Sequence, residues 1–283
     1  MSEIALADGR RLAYAVMGAE RGYPVVVLHG TPGSSRQLAG LHRSACDQGI
    51  FLVAPDRAGY GGSDHDPRRT IASSTRDVNE LLNQLNLASC AIVGLSGGGP
   101  FALACGILHS ERIRAVATVG GVAPPVARNL WGLPDRVPVQ VARRSEACAR
   151  WLLAGTMGVA RASPERALLW VTRFLAGPDA SLLRENTQLR EGFLEDLHNP
   201  GPTTARAAAR DYWLFAHPWD VDISDMSVPI HIWHGTADRV VPVSNARVIA
   251  EQCPAARLHL VRNGGHFLFR ELNTILAELR TTR

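Results

Sequence analysis

Three residues far apart in the chain have the side chains that nucleophilic acyl transfer needs: Ser96, Asp238 and His266. A serine hydroxyl is a poor nucleophile near neutral pH. It attacks a carbonyl only when a base takes its proton and donors hold the oxyanion that forms. Histidine is the natural base, because its pKa lies near working pH. A carboxylate then orients the imidazole, and the order Ser…Asp…His is one of the known arrangements of such a triad. His266 stands in NGGHFLF, after the last strand pattern. Asp238 stands in HGTADRVVP, after a strand ending IWHG.

Ser96 lies in IVGLSGGGPFALA, where an apolar strand pattern meets a helical one. A strand-to-helix corner exposes the hydroxyl and aims a helix N-terminus at developing negative charge. The corner is strained, and residues two before and two after the serine approach closely, which Gly94 and Gly98 permit. The G-x-S-x-G pattern alone is weak in a chain with 26 glycines. Its placement and its partners give it weight. The oxyanion donors expected are the backbone N–H groups of Gly97 and of Thr31 in HGTPGS. The segment TVGGVAP, at the end of the last core strand before the insertion, carries no carboxylate, which removes the main competing position for the acid.

These residues need a scaffold, and the chain supplies one. Residues 3–6 and 11–16 read as strands joined by the Asp8-Gly9 turn. Short continuous apolar runs at 23–30, 51–56, 90–95, 113–120 and 228–235 read as strands buried on both faces, and 257–261 as a further strand. Helical patterns fall at 35–48, 73–86, 100–108, 244–252 and 267–280. Alternating strands and helices predict a mostly parallel sheet covered on both faces. Between residues 122 and 227 the rhythm changes to helical segments broken by Pro and Gly, holding Trp131, Trp151, Trp170, Trp213 and Trp219.

The motifs HGTPGS, DRAGYGGSD, GLSGGGP, HGTADRVVP and NGGH, in this order, resemble the α/β-hydrolase superfamily. That resemblance implies an eight-stranded, mostly parallel sheet with helices on both faces. It divides the chain into a core of residues 1–121 and 228–283 and a helical cap of residues 122–227. It further implies that Asp56–Ser63 is a structural loop, with Tyr60 at the pocket entrance. A serine at the corner separates the chain from the dehalogenases and epoxide hydrolases of the superfamily, which carry aspartate there. Tyr212 is the single tyrosine of the cap.

The expected activity is cleavage of a carboxylic ester, or a related thioester, lactone or amide, through an acyl-enzyme, with no cofactor or metal required. Carbon–carbon bond hydrolysis and cofactor-free oxygenation on the same scaffold stay open, as does a non-catalytic ligand receptor. The cap tryptophans with Leu130, Leu133, Leu152 and Leu153 form either a hydrophobic substrate wall or the cap's own core, the second being preferred.

Composition limits the partners. The net charge is +4, all 30 basic residues are arginines, and they are scattered without a basic stripe, so no nucleic-acid binding is expected. The absence of lysine excludes Schiff-base chemistry on that side chain. Five dispersed cysteines form no CxxC pair. No HExxH occurs, and His231 and His234 fall on opposite faces of one strand, a poor metal pair. No apolar run reaches the ~18 residues of a membrane span and no signal peptide is read, so a cytoplasmic location is expected. The oligomeric state, monomer or dimer, is left open.

Overall fold

A computed structural model describes residues 1–126, 130–173 and 175–282. Residues 127–129, 174 and 283, which fall inside the expected cap and core ranges, lie outside the described residues. The sheet has eight strands among the described residues: β1 (Ser2–Ala5), β2 (Arg11–Gly18), β3 (Tyr23–Leu28), β4 (Ile50–Pro55), β5 (Cys90–Leu95), β6 (Ile113–Val119), β7 (Ile230–Gly235) and β8 (Arg257–Val261). Their spatial order is β1-β2-β4-β3-β5-β6-β7-β8. The opening hairpin is the antiparallel edge, and every pair from β4 onward is parallel.

Side-chain alternation sorts the inner strands onto two cores. Val26, Ile92 and Val116 point to one face, and Val25, Val27, Val93 and Ala117 to the other. Helices α2 (Thr75–Gln84), α3 (Gly99–Leu108) and α10 (Ser244–Gln252) cover the first face. Helices α1 (His42–Asp47) and α11 (Leu272–Thr281) cover the second. The stretch expected as one helix over 35–48 is split. Ser34 caps a 3-10 helix over Ser35–Leu41, and α1 follows it.

Between β6 and β7 the chain inserts six α-helices among the described residues, followed by a 3-10 turn over Ile223–Asp225. They are α4 (Leu133–Arg144), α5 (Glu146–Ala162), α6 (Pro164–Thr172), α7 (Gly177–Glu185), α8 (Thr187–His198) and α9 (Thr204–Ala216). Helices α4, α5 and α9 join the larger core through Val139, Ala142, Ala149, Leu153 and Phe215. A separate cluster of Leu168, Leu175, Leu182, Leu183 and Leu189 packs against Phe193 and Phe267. Trp131 stacks on Phe215 and Trp213 on His217, while Trp151 and Trp170 are exposed. Leu130 and Leu153 are buried, and Leu133 is exposed.

Candidate active site

The strand-to-helix corner has the geometry its glycines imply. Ser96 sits at φ +51°, the left-handed region that non-glycine residues rarely occupy. The chain then makes one 3-10 turn over Ser96–Gly98 and enters α3. A Cβ on Gly94 would stand 2.6 Å from the Gly98 carbonyl oxygen, and one on Gly98 would stand 2.4 Å from that of Leu28. Both obstacles are backbone, so a side chain at either position forces the corner apart.

His266 and Asp238 come from the loops beyond the carboxyl ends of β8 and β7. His266 Nδ1 lies 2.7 Å from Asp238 Oδ2. Asp238 Oδ1 accepts the Val240 and Val241 N–H groups at 2.8 and 2.9 Å. The remaining neighbour is His234, whose Nε2 is 3.3 Å from Asp238 Oδ2 and 2.7 Å from the Val241 carbonyl oxygen. Burial pushes the Asp238 carboxyl up. The His266 charge and the hydrogen bonds of His234 and His266 outweigh that, and hold it below the usual carboxylate range. Burial pushes the His266 imidazole down, but Asp238, with Asp179 and Asp135 further away, leaves it above the ordinary histidine value. An ionised Asp238 takes the Nδ1–H of His266 and leaves Nε2 as the basic nitrogen.

Ser96 and His266 line one cavity of about 260 Å³, together with Gly30, Thr31 and Pro32. The structure therefore pairs Asp238 with His266 directly and brings Ser96 to them across a shared cavity wall. Among the described residues no hydrogen bond engages the Ser96 hydroxyl. Thr31 borders the cavity and Gly97 packs directly against its side chain: a Cβ on Gly97 would stand 2.4 Å from Thr31 Oγ1. Among the described residues, no carbonyl of the turns and loops takes the N–H of either. The rest of the wall is mostly apolar, with Met157, Leu168, Phe193, Leu197 and Phe267 prominent. None of the tryptophans borders it, nor do Leu130, Leu133, Leu152 or Leu153. They serve the packing of the insertion or its surface instead.

Two carboxylates interrupt that apolar wall. Asp135 accepts the Tyr212 hydroxyl at 2.7 Å, and burial pushes its pKa up to about 6. Asp196 accepts from Ser34 and from Gln37, and burial likewise pushes it up to about 6.

Two supporting groups were not legible as site residues in the sequence. Asp179 on α7 accepts the backbone N–H groups of His266 and Phe267 at 2.8 and 2.7 Å, so the insertion holds the histidine loop. Asp211 on α9 is fully buried and accepts from four side chains. Arg69 donates to its Oδ1 at 2.6 Å. Thr31 (2.6 Å), Arg57 (2.8 Å) and Tyr60 (2.6 Å) donate to its Oδ2. Arg57 also donates to the His29 and Gly30 carbonyls and to Thr31 Oγ1, which fixes the loop carrying Thr31. Tyr60 is therefore part of a buried ion cluster and not at the pocket entrance. Its hydroxyl reaches Asp211 because the Asp56–Ser63 loop turns inward, where Asp56 accepts the Ser35 and Gly62 N–H groups.

A mostly parallel sheet with a serine on the corner after β5 defines a hydrolase of the α/β type. Residues 23–271 match the model of the α/β hydrolase fold family, and the chain belongs to that family. It is 28% identical over 254 residues to 2-hydroxymuconate semialdehyde hydrolase of Pseudomonas putida, covering 87% of this chain and 81% of that one. It is 27% identical to the non-heme chloroperoxidase of Streptomyces lividans, covering 87% and 85%. An esterase from Exiguobacterium antarcticum has the same fold, with a TM-score of 0.74 at 20% identity over 99% of both chains. Among the described residues no helix is long and apolar enough to cross a membrane.

Proposed function

We propose that the protein is a serine hydrolase that cleaves a carboxylic ester, or a close acyl analogue, of a small hydrophobic substrate through an acyl-enzyme. The observation that carries this reading is His266, held by Asp238 at 2.7 Å, on the wall of the cavity that also holds the strained Ser96. Ser96 Oγ attacks the acyl carbonyl and its proton passes to His266 Nε2. The Nδ1–H stays on the imidazole, held by ionised Asp238, which stabilises the imidazolium. The Thr31 and Gly97 N–H groups receive the oxyanion, helped by the N-terminus of α3. The imidazolium then protonates the leaving alkoxide. Water, deprotonated by the same nitrogen, releases the acid and restores the serine. No step calls for a metal or cofactor.

In this reading the insertion, residues 122–227, is the cap over a core of residues 1–121 and 228–283, and the enzyme works in the cytoplasm. A cavity of about 260 Å³ lined by Leu168, Phe193 and Phe267 suits a short acyl chain. The test is a series of nitrophenyl esters from acetate to octanoate, with Ser96→Ala as blank. Turnover that is highest for the short esters and abolished by Ser96→Ala supports the reading. Equal rates in both proteins contradict it. The likeness to 2-hydroxymuconate semialdehyde hydrolase favours a second reading, hydrolysis of a carbon–carbon bond next to a carbonyl. Turnover of such a ketone with no turnover of esters would select it.

A further inference from the structure

Remote from the cavity, three elements bring three metal-binding side chains to one point. His231 is the second residue of β7, His259 is the third of β8, and Glu278 lies on the last turns of α11. The parallel register sets Trp233 beside His259, and the two rings stack at 4.2 Å and 1°. This fixes the His259 plane. His231 projects from the same face of β7 as Trp233, towards α11. His234, on the other face, serves Asp238. The second histidine of this cluster comes from the neighbouring strand, which spacing along β7 alone could not reveal.

The distances are those of a coordination polyhedron. His231 Nδ1 is 3.2 Å from Glu278 Oε2 and 3.4 Å from His259 Nε2, and His259 Nε2 is 3.6 Å from Glu278 Oε2. Ligand atoms about 2.0–2.1 Å from a tetrahedral Zn²⁺ stand roughly 3.3 Å apart. The tautomer of His231 is set from outside. Thr282 Oγ1 donates its proton to the Glu278 carbonyl at 2.8 Å, so at 3.2 Å it accepts from His231 Nε2. Nδ1 is thereby left with its lone pair facing into the triangle. A donor that orients a ligating imidazole in this way is the usual outer support of a metal site. Glu278 Oε2 is shut off from solvent, and the groups that face it are the His231 and His259 ring nitrogens at 3.2 and 3.6 Å. With lone pairs on both nitrogens that enclosed oxygen has no donor, which is costly, and a cation at the centre would satisfy it.

We propose that His231 Nδ1, His259 Nε2 and Glu278 Oε2 bind one divalent transition-metal ion, Zn²⁺ foremost, with water completing the tetrahedron. Two imidazoles and a carboxylate are borderline donors that suit Zn²⁺ and its neighbours rather than Ca²⁺ or Mg²⁺. An open cleft of about 480 Å³ bordered by His231, Glu278 and Thr282 gives the ion and its water a way in. Arg257 borders the same cleft and works against cation entry. Bound there, the metal ties the end of α11 to β7 and β8.

The test uses full-length protein stripped with EDTA and titrated with ZnCl₂ against a chromophoric chelator. Thermal melts and a Co²⁺ absorption spectrum accompany the titration. Wild type takes up one equivalent, melts higher with Zn²⁺, and gives the intense visible bands of tetrahedral Co²⁺. His259→Ala and Glu278→Gln each lose more than the roughly 10–100-fold in affinity that loss of an outer support causes. Thr282→Val, which removes only the support, loses about tenfold. Binding weakens as pH falls, because a ligating imidazole nitrogen must carry its lone pair. Turnover of the ester is the same in all these variants, since none touches the triad. Wild type that binds no Zn²⁺, protons alone then bridging the three groups, overturns the proposal. So does a His259→Ala/Glu278→Gln double variant with wild-type affinity. If either substitution prevents folding, the wild-type Co²⁺ spectrum and the Thr282→Val titration decide the matter.

Discussion

Asp211→Asn probes the buried cluster beneath the cavity. Asp211 is the acid that faces the Arg57 and Arg69 guanidiniums, which are themselves buried. The amide keeps the shape of the side chain but loses its charge. It also presents N–H donors where Arg57, Arg69, Thr31 and Tyr60 already direct theirs. Removing one partner of a buried ion pair costs about 3–5 kcal/mol, because the charge left behind is uncompensated. At roughly 2 °C per kcal/mol for a chain of this size, Tm falls by about 8 °C. The contact to Thr31 adds a catalytic consequence. Losing an oxyanion donor outright costs about 10²–10³ in kcat. Loosening the loop that carries it costs less, on the order of tenfold, with KM little changed. The assays are thermal unfolding by circular dichroism and steady-state kinetics on a nitrophenyl ester. Asp64→Asn is the control. It removes the exposed pair with Arg11, where solvent screening leaves a Tm shift within about 2 °C. Equal Tm losses in the two variants would show that the buried cluster does not stabilise the fold in this way, and unchanged kcat in Asp211→Asn that it does not fix the Thr31 loop.

Further outcomes follow from the same geometry. The acid limb of kcat/KM reports His266, which must be neutral to act as base. Its raised pKa places that limb above about pH 6.5. Asp238→Asn moves the limb to lower pH and cuts kcat by roughly 10⁴-fold, because the amide favours the wrong tautomer. Gly98→Ala drives a methyl against the Leu28 and His29 carbonyls, which lowers Tm by several degrees and reduces kcat; a melt and a rate at wild-type level would count against the corner geometry. Asp135 and Asp196 are both neutral below about pH 6 and anionic above it, inside a largely apolar wall. The KM of a carboxylate-bearing ester should therefore rise across that pH relative to a neutral ester of equal size; Asp135→Asn should reduce the difference, and Asp135→Asn with Asp196→Asn should flatten it.

The strands were readable because a doubly covered sheet demands continuous apolar runs, which YPVVVL, CAIVGL and IRAVATV supply. The corner serine was readable because its glycines face backbone that leaves no room for a Cβ. The last helix begins at Leu272 and not at residue 267, because the Asp179 carboxylate takes the His266 and Phe267 N–H groups and holds that stretch as a loop. The supporting carboxylates escaped notice because their partners lie 87 to 180 residues away. A signal did exist: Asp211 shares the buried stripe of α9 with Ala207, Leu214 and Phe215, where a charge requires a buried partner. Asp179 sits likewise with Leu182 and Leu183 on α7. Which arginine answers such an acid depends on tertiary contacts that periodicity does not encode.

Activation of Ser96 by His266 and Asp238 can be read by covalent labelling with a fluorophosphonate and intact-mass analysis. One adduct per chain is expected, mapped to Ser96, absent from Ser96→Ala and formed far more slowly in Asp238→Asn. A protein that stays unlabelled at saturating reagent, or a Ser96→Ala variant that is labelled as fast as wild type, would contradict it.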